Sequence, residues 1–152
     1  DEYPMPANAG RSRINISGAL NAQDVTDVIA IEGEMVNAQS VMSVWEEAER
    51  RHPGKRIFHI CDNAKYYHSK VLKEWLAEHP NTSVWFLPPY APNLNLIERL
   101  WKFLRKKVIS SHYYSTFLEF KEAVRGFFDN IEHHKSALES LLTLRFHLPK
   151  ME

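Results

Sequence analysis

Two acidic residues, Asp62 and Glu98, follow the ends of two apolar runs, and thirty-five residues, 63–97, lie between them. Residues 56–61 are rich in β-branched and aromatic side chains and predict a short strand, which Asp62 follows directly. Glu98 falls on the first turn of a predicted amphipathic helix, after a loop stiffened by three prolines within residues 88–92. Because the carboxyl ends of neighbouring parallel strands meet at one edge of a sheet, we expect both carboxylates at that edge.

The chemistry predicted for this pair is metal-dependent phosphoryl transfer. Carboxylate oxygens suit Mg²⁺ or Mn²⁺, which keep several waters and take further ligands from substrate phosphates. Two such ions about 4 Å apart can activate a water or hydroxyl and stabilise the leaving oxygen of an in-line displacement. Asp62 and Glu98 are therefore candidate catalytic residues and candidate metal ligands.

Basic residues that follow Glu98 could hold a phosphodiester backbone. The whole chain is neutral, with 19 Lys and Arg against 19 Asp and Glu, but residues 99–118 contain five basic residues and no acid. This local excess predicts a DNA-binding face made by Lys102, Arg105, Lys106 and Lys107. The alternative is a solvated helix face, favoured by the dipole at the helix C-terminus.

Each acid also has an ordinary structural interpretation. Glu98 lies three residues after Asn95, as in a capping box, and four before Lys102, as in a solvated ion pair. An Asp at a strand end often only caps a turn. The functional interpretation is favoured because two separate elements point to the same sheet edge.

Composition narrows the function classes further. The 152 residues suffice for one domain, residues 1–152, with a real hydrophobic core. The single cysteine, Cys61, excludes an intrachain disulfide and a zinc site built on several cysteines. The sequence has no glycine-rich phosphate loop, no apolar stretch of membrane-spanning length and no secretory signal at its start, so we expect a cytoplasmic location and no membrane partner.

The elements that must position these residues follow the order β-β-(β)-α-β-α-β-α-α-α. Residues 1–10 read as an irregular lead-in, and residues 35–36 could add a short strand after an initial hairpin. Two parallel strands with a right-handed helical crossover should follow, and then three helices. This order predicts an α/β fold with a mixed sheet flanked by helices. The predicted strands are residues 13–20, 25–32, 56–61 and 83–87; the predicted helices begin at Asn37 or Ser40, at Ser69, and near residues 96, 116 and 134.

Two motifs together carry a family resemblance. The first is CDNAKYYH at residues 61–68, and the second is LPPYAPNLNLIERLW at residues 87–101. Together with residues 6–13 and 17–20, they resemble the catalytic core of the mariner-like superfamily of transposases, in its bacterial insertion-sequence branch. The resemblance implies a ribonuclease H-like fold and a divalent-metal DDE triad that cuts and joins DNA, in which Asp62 matches the second acid and Glu98 the third. It also implies DNA contacts by Asn63 and His68, transposon ends and target DNA as partners, a homodimer, and action at the bacterial nucleoid.

The chain departs from the family pattern at its start. The first Asp of the family lies on a first strand, before the region where this sequence begins, and the family's helix-turn-helix region is also absent. We therefore expect an N-terminally truncated catalytic domain that lacks one metal ligand and is inactive by itself. We further expect the empty strand position to be closed by direct pairing of its neighbours, by residues 1–10, or by association with a second copy, with association preferred because Pro4 and Pro6 disfavour a central strand.

Three functions remain open at this point. The first is a transposase domain with endonuclease and strand-transfer chemistry, for DNA recombination and integration. The second is a non-catalytic DNA-binding or dimerising remnant of such an enzyme. The third is a related nuclease of the same fold with another nucleic-acid substrate.

Overall fold

The computed structural model describes residues 3–6, 13–88, 95–110 and 112–142. The strands are β1 Tyr3–Pro6, β2 Arg13–Asn21, β3 Asp24–Gly33, β4 Ile57–Cys61 and β5 Thr82–Phe86. The α-helices are α1 Ala38–Arg51, α2 Lys70–Glu78, α3 Leu96–Leu104, α4 Phe117–Asp129 and α5 Lys135–Leu141. Short 3₁₀ turns at Lys65–His68 and Ile131–His134 precede α2 and α5, and a π-helical turn, Arg105–Ile109, continues α3.

Two predictions about local structure were wrong. Residues 3–6, expected to be irregular, form β1 and pair antiparallel with β2. Residues 35–36, expected to add a strand, precede α1 without strand structure. Asn37 caps α1 in a capping box with Ser40, so both candidate cap residues take part in one motif: each side chain accepts a hydrogen bond from the other residue's backbone N–H.

The strands form two separate ladders. One is antiparallel, in the order β1-β2-β3, and the other is the parallel pair β4-β5. The parallel pairing was predicted, and its register sets Ile57 opposite Thr82 and Cys61 opposite Phe86. Among the described residues, β2 and β4 do not pair with each other, so the direct closure of the sheet proposed from the sequence is not observed.

β1 fills part of the strand position beside β2. Its four residues pair with Arg13 to Ile16, while Ser17 to Asn21 have no partner on that side within the described chain. A proline cannot donate to a ladder, but it is tolerated on an edge strand, and β1 is an edge strand. Use of the N-terminal residues, one of the expected solutions, is thus observed along the first part of β2, but among the described residues β1 does not pair with β4.

The β2–β3 hairpin separates two hydrophobic cores. On one face, Ile14 and Ile16 are almost fully buried against α3, α4 and α5. On the other face, Ile29 packs with α1, α2 and β4 around Trp45, which is 2% exposed. Helices on both faces of the hairpin give the predicted α/β layering.

Helix α1 connects the antiparallel ladder to the parallel pair. Near its C-terminus, Arg51 donates from Nη1 to Oδ1 of Asp27 on β3 at 3.0 Å. Two residues earlier, the Glu49 carboxylate lies 2.8 Å from Nδ1 of His79, which caps α2, and accepts from Oγ1 of Thr82 on β5 at 2.8 Å. The position of β4 and β5 relative to the antiparallel ladder therefore depends on this helix.

Candidate functional site

Asp62 lies at the carboxyl end of β4, as predicted. It follows the buried Cys61, and its Oδ1 accepts a hydrogen bond from the backbone N–H of Ala64 at 2.9 Å. This bond makes a turn of the kind that Asp commonly forms, and it fixes the orientation of a half-buried carboxylate. The backbone of Leu87 donates to the carbonyl of Cys61 at 2.8 Å, so the chain leaving β5 runs beside Asp62.

Glu98 lies on the first turn of α3, also as predicted, but the capping box expected there does not form. Asn95 is the N-cap residue, yet its side chain makes no capping hydrogen bond. The structural interpretation of Glu98 as a capping-box acid therefore loses its main support. The Glu98 side chain is half-buried, whereas an acid that only interacts with a helix N-terminus is usually exposed to water.

The electrostatics of Glu98 connect it to Asp62. Burial raises the pKa of the Glu98 carboxyl above its ordinary value, and the negative charge of Asp62 raises it further, while Lys102 acts in the opposite direction. Partial burial and a neighbouring negative charge both disfavour the charged form of Glu98, and a bound cation would offset both effects.

The two acids are anchored in different cores. Asp62 follows β4, whose Cys61 belongs to the core around Trp45. Glu98 is carried by α3, whose Leu100, Trp101 and Leu104 are fully buried in the core against β2. The separation of the two carboxylates is therefore set by how the two cores are joined.

The predicted basic face is exposed and begins one turn after Glu98. Lys102 lies on α3, and three more cations lie on the π-helical turn at Arg105, Lys106 and Lys107. The π turn is a local widening of the helix, a feature that often marks functional segments. Lys107 is partly engaged within the chain, because its Nζ lies 5.5 Å from the centroid of the Phe103 ring.

Asn63 and His68, predicted to contact DNA, are exposed and bonded to each other. The Asn63 Oδ1 lies 2.6 Å from the His68 Nε2, and because that oxygen can only accept, Nε2 carries the proton. The His68 ring also stacks on Phe86, with centroids 4.3 Å apart. Phe86 was not singled out by the sequence; its position as the last residue of a strand ending beside Asp62 was the available signal.

The residues present suit a hard divalent cation only in part. Asp62 and Glu98 offer carboxylate oxygens, and the charge of Asp62 acts on Glu98. Carboxylate oxygens are ligands that suit Mg²⁺ or Mn²⁺. Within the described residues, however, no group of three or more His, Cys, Asp or Glu side chains is arranged to hold a metal ion. The pair could thus supply two ligands, with water and substrate oxygens completing the coordination.

Among the described residues, no helix has both the length and the apolar character needed to cross a membrane.

The strands with helices on both faces define a fold class, the ribonuclease H-like α/β domains. The solved catalytic domain of the Mos1 mariner transposase has the same fold, with a TM-score of 0.66 and 17% identity over 93% of this chain and 74% of that one. A Mos1 transposase paired-end complex with the left transposon end is also similar, with a TM-score of 0.62 and 18% identity, covering 88% of this chain and 41% of that one.

Sequence similarity identifies the family to which the chain belongs. The model of the DDE superfamily endonuclease family matches residues 1–121, and the chain belongs to that family. It is also 32% identical over 77 residues to the insertion element IS630 uncharacterized 39 kDa protein of Shigella sonnei. That match covers 51% of this chain and 22% of the relative, so the chain matches about a fifth of the relative's length.

Proposed function

We propose that this chain is the catalytic domain of a DNA transposase that cleaves and joins DNA strands with Mg²⁺ or Mn²⁺ bound at Asp62 and Glu98. The observation that carries the proposal is the placement of two half-buried acids, Asp62 directly after β4 and Glu98 on the first turn of α3, with Asp62 among the groups that raise the pKa of Glu98. In a chain of the DDE superfamily endonuclease family, such a carboxylate pair favours phosphodiester chemistry.

Each residue has a defined part in this proposal. The hydrogen bond from Ala64 orients the Asp62 carboxylate, and the first turn of α3 carries Glu98 on a rigid element. A bound divalent ion would supply activation of the attacking water or hydroxyl and stabilisation of the leaving oxygen. Lys102 and the cations of the π turn would hold the phosphate backbone next to the acids.

The proposed substrates are the transposon ends and the target DNA, and the proposed assembly is a homodimer. The transposase structure with a similar fold that holds a transposon end supports DNA as the partner. The exposed basic face next to Glu98 supports it independently. The alternative, a non-catalytic DNA-binding or dimerising relative, is favoured by the lack of a three-ligand metal group among the described residues.

Manganese binding tests the proposed site without requiring turnover. We expect electron paramagnetic resonance to detect Mn²⁺ bound by the chain, and the affinity to fall at least about tenfold in Asp62→Asn and in Glu98→Gln, because each removes one charged ligand. Asp129→Asn, an exposed acid at the end of α4, is the matched control and should bind like the unmodified chain. Equal Mn²⁺ affinity in all four proteins would end the assignment of the site.

A cleavage assay separates the two candidate functions. Catalysis predicts Mg²⁺- or Mn²⁺-dependent nicking of DNA that is lost in Asp62→Asn and in Glu98→Gln. Mn²⁺ binding that depends on both acids, without any nicking, would favour the non-catalytic alternative.

A further inference from the structure

The rings of His68 and Phe86 form a stack at the surface beside Asp62. Their centroids are 4.3 Å apart and their planes are inclined by 23°. Phe86 is 41% exposed although it ends a strand, and His68 is also exposed. A large aromatic surface is therefore left open to water near Asp62, one of the candidate catalytic carboxylates.

The stack is held in place from two sides. The Asn63 Oδ1 accepts a hydrogen bond from Nε2 of His68 at 2.6 Å, which restrains the plane of the imidazole ring. Tyr67, which is 6% exposed, packs edge-on against Phe86 with centroids 6.4 Å apart. Because both rings have fixed neighbours, the stack presents a preorganised face rather than two mobile side chains.

The position of the stack links it to the end of β4, where Asp62 lies. Phe86 pairs in register with Cys61, the residue before Asp62, and Asn63 directly follows Asp62. If a phosphodiester bound at the carboxylates, the adjoining nucleotide would therefore lie near the rings of His68 and Phe86. The amide of Asn63 keeps its N–H groups as donors, because only its oxygen is used by His68.

We infer that the His68–Phe86 stack is a binding site for an unpaired DNA base next to the reacting phosphate, with the base stacking as a third ring. Aromatic side chains bind single-stranded bases in this way with little regard to sequence, because every base has a π face. The inference rests on the proposed function, since it assumes that DNA reaches Asp62 and Glu98. It adds a preference for unpaired over fully duplex DNA beside the site.

Paired fluorescence measurements test the inference on the chain itself. The probes are a fully paired duplex and the same duplex with a short single-stranded extension containing 2-aminopurine. We expect the extension to increase affinity and the 2-aminopurine emission to be quenched on binding. Phe86→Leu should lower the affinity for the extended DNA by about tenfold and remove the quenching, because leucine keeps apolar contact but has no ring.

Two further variants make the result specific. Trp85→Leu is the matched control: Trp85 is also 41% exposed, but it lies one residue earlier on the same strand, on the opposite sheet face, beside Phe58. It should leave quenching and affinity unchanged. His68→Ala removes the other ring from an exposed position and should reproduce the Phe86→Leu effect even if that variant folds poorly.

The outcomes separate the inference from the proposed function. Equal affinity of the unmodified chain for the two DNA forms would overturn the inference and leave the transposase proposal standing. If Phe86→Leu lowers the stability of the fold but leaves the 2-aminopurine quenching undiminished, the inference is also overturned. The two rings would then only stabilise the fold by packing. Failure of the unmodified chain to bind either DNA would overturn both.

Discussion

Trp101 occupies the space that a side chain at Gly18 would need. A Cβ at Gly18 would lie 2.8 Å from Cη2 of Trp101 and 2.7 Å from the backbone carbonyl oxygen of Ile29. Trp101 is fully buried on α3, one turn after the residue that bears the candidate catalytic carboxylate. This contact therefore sets how closely the helix that carries Glu98 approaches the antiparallel ladder.

We predict that Gly18→Ala destabilises the fold by about 1–3 kcal/mol, because a backbone carbonyl cannot move aside as a flexible side chain can. Urea unfolding measures the change. Gly126→Ala is the control, since nothing lies within 4 Å of a Cβ at that position in α4, and alanine there should stabilise by up to about 1 kcal/mol. Equal stability of Gly18→Ala and the unmodified chain would show that α3 is free to shift.

The buried His59 predicts a loss of stability in mild acid. Burial lowers the pKa of this imidazole from 6.5 to about 4, and the nearby Glu49 offsets only part of that effect. The unfolded chain therefore takes up a proton as the pH falls below 6.5, whereas the folded chain does so only near pH 4. The stability linked to His59 is complete above pH 6.5 and is lost progressively towards pH 4.

Between pH 7 and pH 5 the expected loss is on the order of 2 kcal/mol, since one pKa unit corresponds to about 1.4 kcal/mol. Urea unfolding at both pH values, compared between the unmodified chain and His59→Leu, isolates this contribution from that of the other histidines. The variant should also be as stable as the unmodified chain at pH 7 or more so, because the buried Nε2 has no hydrogen-bond partner among the described residues. An equal pH dependence in both proteins would contradict the assignment.

The basic face predicts a specific change in salt dependence. Replacing Lys102, Arg105 and Lys106 with alanine should lower DNA affinity and reduce the slope of log K against log salt by about 2–3, because each phosphate contact contributes about 0.9. The matched control removes the same charge from exposed positions elsewhere, at Lys55, Arg56 and Lys73. If both triple variants give the same slope, the face beside Glu98 is not the DNA surface.

The unpaired edges of the two ladders predict self-association of the chain. The side of β2 that faces away from β3 is unpaired at residues 17–21, and the edge of β4 away from β5 has no strand partner among the described residues. Unpaired edges favour pairing with another chain. Sedimentation over a concentration series should show a mass above that of a single chain at high concentration. A folded monomer at every concentration would remove the argument.

The sequence predicted the elements well where local signals and burial agree. Asn37 and Ser69 cap α1 and α2, as predicted. The residues of α1 predicted to face inward are all buried: Val41, Val44, Trp45 and Ala48. These features depend on neighbours in the chain, so periodicity and capping chemistry suffice.

The remaining features depend on contacts between distant segments. β1 was missed because Pro4 and Pro6 argue against a strand, and only its partner β2 stabilises it. Likewise, Asn95 has the residue type and spacing of a capping box, but its side chain makes no capping bond in the folded chain. The expected prolyl loop before α3 falls largely on residues 89–94, outside the described residues.

The four tryptophans report on three different parts of the molecule. Trp45 and Trp75 lie in the core beside β4, Trp101 lies in the core beside β2, and Trp85 is 41% exposed. A soluble quencher should therefore reach the emission of Trp85 first. Chains that retain a single tryptophan would show by intrinsic emission whether the halves that carry Asp62 and Glu98 unfold together or in succession.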